Sequence, residues 1–122
     1  MSFRLAAVIT SAVCLVLFLL LLISPAIYVG TYGVSADAGA LFMVRRASPM
    51  FAGLAVMLWL GRNAESSPLR EALCYGLVVT FAGIGVTGIA AYLGGHASAI
   101  ILLAAAGEFV LAGLFVAARR GR

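Results

Sequence analysis

Four stretches of apolar residues, each long enough to cross a lipid bilayer, take up almost all of a 122-residue chain. A helix rises about 1.5 Å per residue and the hydrocarbon layer is about 30 Å thick, so one crossing needs about 20 largely apolar residues. Four crossings with short connections leave no room within these residues for a separate soluble domain. Hydrophobic residues make up 65% of the chain and charged residues 10%, far from the roughly half-apolar, quarter-charged mix of soluble domains. The expected fold is an all-α membrane protein, a four-helix transmembrane bundle. It forms one domain over residues 1–122, with helices at about 5–28, 38–61, 68–92 and 98–118.

Local signals set these boundaries. The first apolar run, 5–23, is followed by Ser24-Pro25-Ala26, small residues of the kind a signal peptidase cuts beside. The run is longer than the 7 to 15 residues of a signal core and the site carries a proline, which favours an uncleaved helix; cleavage would leave three helices. The segment 30–39 (GTYGVSADAG), with Tyr28 and Tyr32 beside it, reads as the longest loop, entered through an interfacial aromatic belt. Ser67-Pro68 is a helix start: the hydroxyl accepts an orphan N–H, and proline has none to lose. Gly94-Gly95-His96-Ala97 is a tight turn, and Ser98 is the expected N-cap of the last helix, which ends before Arg119, Arg120 and Arg122.

The net charge is +4, and every basic residue is arginine. Most of that charge lies at the ends of apolar segments, where it sets topology and meets anionic headgroups, so nucleic acid is not an expected partner and the lipid bilayer is. Four crossings gather Arg4, Arg62, Arg70, Arg119, Arg120 and Arg122 on one side. By the positive-inside rule that side is cytoplasmic, with both termini, and a bacterial inner membrane is the expected setting.

Small residues mark the expected packing faces. Ala72, Gly76, Thr80, Gly83 and Thr87 fall at spacings of four, four, three and four on the third helix, a stripe that would let backbones approach in lipid. That helix is expected to be the central one. The first, rich in Leu, Val and Phe, is expected to be the most lipid-exposed.

Arg45, Arg46 and Glu108 form the expected intramembrane charge cluster. The span 47–61 between Arg46 and Arg62 is a helix of about 22 Å, shorter than the hydrocarbon layer, so the pair lies below the opposite surface or snorkels to it. Pro49 would kink a continuous helix there; alternatively Ser48-Pro49 starts a new one and residues 38–47 are re-entrant. Continuity is favoured, because neighbours can supply the missing bonds. Glu108 lies about 16 Å of helical rise before Arg119, near the midplane, within reach of the arginines if the second and fourth helices are neighbours. The contact would be either a structural clasp or a proton or cation site gated by the arginines.

The stretch FMVRRASPMFAGLAVMLWLGR, residues 42–62, resembles a pattern in small four-helix bacterial integral membrane proteins of unknown function: paired arginines, Gly-Leu-Ala, Trp-Leu and a closing arginine. The likeness extends loosely to the polar turn after the second helix and the glutamate of the fourth. It implies a fold, with no activity attached. Small multidrug exporters are similar in size, but their essential glutamate is expected in helix one, which here carries no charge beyond Arg4.

No catalytic residues, metal site or cofactor is expected. Cys14 and Cys74 lie in apolar runs with no C-x-x-C spacing, and His96 has no second ligand at a useful spacing. Trp59 reads as an interfacial anchor. The expected role is a non-enzymatic helical module, as a homo-oligomer or an accessory subunit of a larger membrane complex. The alternative is a small oligomeric transporter or channel using Glu108 with Arg45 and Arg46.

Overall fold

The structure, a computed structural model, describes residues 2–121; Arg122, one of the arginines at the end of the last helix, lies outside them. The described residues form five helices: α1 (Phe3–Ile23), α2 (Pro25–Thr31), α3 (Ala38–Gly61), α4 (Pro68–Leu93) and α5 (Ile100–Ala118). Four of them, α1, α3, α4 and α5, are long and apolar enough to cross a membrane. The chain is an all-α, multi-pass membrane protein.

The first expected helix is two. Pro25 has no N–H to donate to Leu21 and disfavours helical backbone at the residue before it. Ser24 accordingly leaves the helix, at φ −131° and ψ 53°, and α2 restarts with Pro25 in its first turn. The other proline in an apolar run is accommodated differently. Helix α3 runs unbroken through Pro49, and Ser48 Oγ, fully buried, donates to the Arg45 carbonyl at 2.7 Å. That carbonyl is the one the proline cannot reach.

Side-chain caps close three helix starts, the first by Ser2, which accepts from Leu5 N–H at 3.3 Å. Asp37 accepts from Ala40 N–H at 2.8 Å, and Ser67 from Arg70 N–H at 3.1 Å. At α5 the expectation fails. Ala99 stands at the N-cap with no side-chain bond, and Ser98 instead donates its backbone N–H to Tyr32 O at 2.7 Å. Its hydroxyl is buried without a partner. The backbone contact to the end of α2 fixes Ser98 where its side chain cannot serve the helix.

The bundle is two hairpins side by side. Helix α1 packs along α3, α4 packs along α5, and α1 also touches α5, while α2 rests on α1 and α3. The central helix is therefore α1, not the third membrane helix. Its buried face, Phe3, Ala6, Ala7, Thr10, Ser11 and Cys14, is mostly small, which lets α3 approach until Ser11 Oγ donates to Ala55 O at 2.8 Å. In lipid, high hydrophobicity does not mark the lipid-facing helix, because association is driven by fit and hydrogen bonds.

The expected packing stripe on the third membrane helix, now α4, also turns out elsewhere. Ala72, Gly76 and Gly83 are exposed, and a Cβ added at Gly76 or Gly83 would meet nothing within 4 Å. The α4–α5 contact uses Gly85 and Gly88: a Cβ on Gly85 would stand 2.9 Å from the Phe109 ring, and one on Gly88 3.5 Å from Ile101. Helix α4 has small residues on two faces, and spacing alone does not distinguish them.

Among the described residues Arg70 is the one buried arginine, 3% exposed. Its guanidinium donates to Ala64 O at 3.1 Å and to Gly121 O, and lies 4.8 Å from the centre of the Phe3 ring. Phe3 in turn meets Phe115 edge-on at 6.4 Å. One side chain thus ties the 62–67 turn, the end of α5 and the start of α1 together. Nothing in the spacing of charges separates Arg70 from the interfacial arginines around it.

Candidate functional site

Glu108 projects from α5 into a cavity of about 300 Å³ to which every helix contributes. Leu17 enters from α1, Tyr28 from α2, Phe51 from α3 and Phe81 from α4, with Tyr32 at the end of α2. Among the described residues that line it, only Tyr28, Tyr32 and Glu108 have side chains with polar atoms. A carboxyl at membrane depth persists by holding a proton, pairing with a cation or meeting water. Here the groups at hand are two phenols, each able to donate or accept one hydrogen bond.

The roof of this cavity follows from the chain between α2 and α3. The Tyr28 and Tyr32 rings meet edge to face, 5.3 Å apart at 84°, as expected of residues four apart on a helix face. The Ser98 bond to Tyr32 O pins the end of α2 to the start of α5. Gly33 makes that approach possible: its φ is +72°, and a Cβ there would come within 3.3 Å of Ser98 Cβ. Burial, and secondly the neighbouring Glu108, raise the Tyr32 phenol above its ordinary value.

The structure does not bring Arg45 or Arg46 to Glu108. Both arginines are exposed and line a separate opening with Phe42 and Pro49 at the start of α3. The physical reason is angular. Phe51 is the α3 residue that faces the Glu108 cavity, and at about 100° per residue Arg45 and Arg46 point about 120° and 140° away from it. Helices α3 and α5 also lean on different principal neighbours, α1 and α4. A clasp between them has no geometry to rest on.

Among the described residues no group of three His, Cys, Asp or Glu side chains gathers at metal-binding distance. Cys14 and Cys74 are buried, free thiols on α1 and α4, and His96 is exposed in the α4–α5 turn. What sequence reasoning missed at the site is the pair of tyrosines. They read as an aromatic belt because nothing in their spacing shows that Pro25 would turn α2 back over the bundle. Comparison with family models, with curated proteins and with solved structures finds no match.

Proposed function

We propose that this chain is a non-enzymatic membrane module that holds a small lipophilic molecule against Glu108. The single observation behind the reading is the cavity in which one carboxyl and two phenols face an otherwise apolar lining. Such a site selects an apolar body bearing a cationic or hydrogen-bond-donating group, since few precisely placed polar groups fix orientation in an apolar pocket. A carboxylate and a neutral phenol together suit an ammonium head. The positive-inside rule puts the arginine-rich end, with both termini, in the cytoplasm of a bacterial cell whose inner membrane the protein spans. The module works alone, as a homo-oligomer or as an accessory subunit. A conducting path through Glu108 and the arginine pair has less support, because their linings are separate.

The test is saturation-transfer NMR of benzyltrimethylammonium with the full chain in detergent micelles. Glu108→Gln is expected to weaken binding tenfold or more, and the pair Tyr28→Phe and Tyr32→Phe to weaken it less while keeping the fold. Unchanged binding in Glu108→Gln, or no transfer to the cation in the parent protein, would sink the reading.

A further inference from the structure

A second feature lies on the opposite flank of α1. The exposed side of the α1–α3 seam holds a groove of about 580 Å³. Ser11 and Ala55 form its floor, and Val8, Leu15, Val56 and Leu60 its walls. The floor hydroxyl is already donated to Ala55 O, so the groove offers a hydrocarbon occupant no unmet polar atom there. Trp59 and Val8 carry the same seam on toward the arginine-rich end, where Arg4 and Arg62 line the next opening. Asn63 joins the two arginines in a third opening beyond.

The two guanidiniums are held in place rather than left loose. Arg4 Nη1 donates to Asn63 Oδ1 at 2.7 Å, and Arg62 lies over the Trp59 ring, 4.1 Å from its centre, while donating to Trp59 O. Each guanidinium has five N–H donors, so most remain available after these bonds. Among the described residues no carboxylate side chain shares their openings: Glu65, on the same turn, lines none of the three.

We propose that this seam is a binding site for an anionic phospholipid, its phosphate between Arg4 and Arg62 and one acyl chain in the α1–α3 groove. Length selects a lipid over a partner helix. From Arg4 to Leu15 is about 16 Å of helical rise, close to one leaflet of a hydrocarbon layer about 30 Å thick. A transmembrane partner would need a groove of twice that depth. Charge selects an anionic head over a zwitterionic one, because paired guanidiniums grip phosphate bidentately and would repel a choline. The indole of Trp59 sits between chain and head, the level such rings prefer.

Trp59 is the chain's only tryptophan and lines the groove itself, so it reports occupancy directly. The full chain is reconstituted into phosphatidylcholine vesicles containing either dibrominated phosphatidylglycerol or dibrominated phosphatidylcholine at equal mole fraction. Each emission is divided by that in the unbrominated counterpart, which removes any change in quantum yield from lost stacking. The expected result is a threefold or greater preference for the brominated anionic lipid. Arg4→Gln with Arg62→Gln should abolish the preference, whereas Arg119→Gln with Arg120→Gln, the same charge loss at the same end, should keep it. Equal quenching by both lipids in the parent protein would overturn the proposal, as would a preference that survives the first pair or falls equally in the second.

Discussion

Ser48 Oγ stands 2.7 Å from the carbonyl oxygen of Arg45 and donates to it, in place of the amide that Pro49 lacks. A proline inside a helix leaves one carbonyl without its donor, and in lipid no water supplies another. The hydroxyl that does so is fully buried, so it cannot be replaced from outside.

Ser48→Ala should therefore destabilise the bundle by about 1 kcal/mol, the usual size of a net hydrogen bond within a protein or membrane bundle. Pro49→Ala in the same chain should return most of that loss by restoring the backbone donor. Unfolding titrations in mixed micelles, run on the two single variants and the double, measure the coupling. Additive losses would show that the hydroxyl and the proline act independently.

Arg70 invites a different substitution. Its guanidinium bonds two carbonyls from separate segments and covers the Phe3 ring, which a point charge on a flexible stem cannot reproduce. Arg70→Met leaves both carbonyls without that donor and is expected to cost about 2 to 3 kcal/mol. Arg70→Lys should recover less than half of it. Thermal unfolding in detergent followed by far-UV circular dichroism provides the comparison. A lysine variant as stable as the parent would mean that charge alone holds this end together.

The thiols give a test of packing. Cys14 and Cys74 are both essentially inaccessible and belong to α1 and α4. A small maleimide should label neither in the folded protein and both once it is unfolded in sodium dodecyl sulfate, read by intact-mass spectrometry. Rapid labelling of Cys14 alone would show that α1 is not the buried centre of the bundle.

What could be read in the sequence divides by range. Ser67 and Pro68 act within one turn of themselves, and the helix start they announce is where the structure has it. The four apolar runs were equally plain, because bilayer thickness imposes their length. Which faces meet was not legible, since apolar side chains gain little more from a protein neighbour than from an acyl chain. Leu15, Val16 and Leu19 made α1 look lipid-facing, yet Ala6, Ala7, Thr10, Ser11 and Cys14 on its other side carry the packing. The Glu108 site was half visible. A lone carboxyl in an apolar run stood out, but its companions depend on Pro25 breaking the first helix and on Ser98 pinning Tyr32, both long-range outcomes of local chemistry.

The glycines of α4 separate contact within the bundle from contact between copies. Gly85 faces Phe109 closely enough that any side chain must displace the ring, whereas Gly76 and Gly83 face open space on the exposed side. In an isolated chain Gly85→Leu should cost about 1 to 3 kcal/mol by overpacking the α4–α5 seam. Gly76→Leu and Gly83→Leu should be close to neutral, with a small gain from helix propensity. Unfolding in micelles dilute enough to hold one chain each gives the first set of values. Repeating it at high protein-to-detergent ratio asks whether a second copy covers the exposed stripe: a loss that appears only there, for Gly76→Leu and Gly83→Leu together, identifies the stripe as an interface between copies. Loss in the dilute regime would instead place that face inside the bundle and contradict the packing described above.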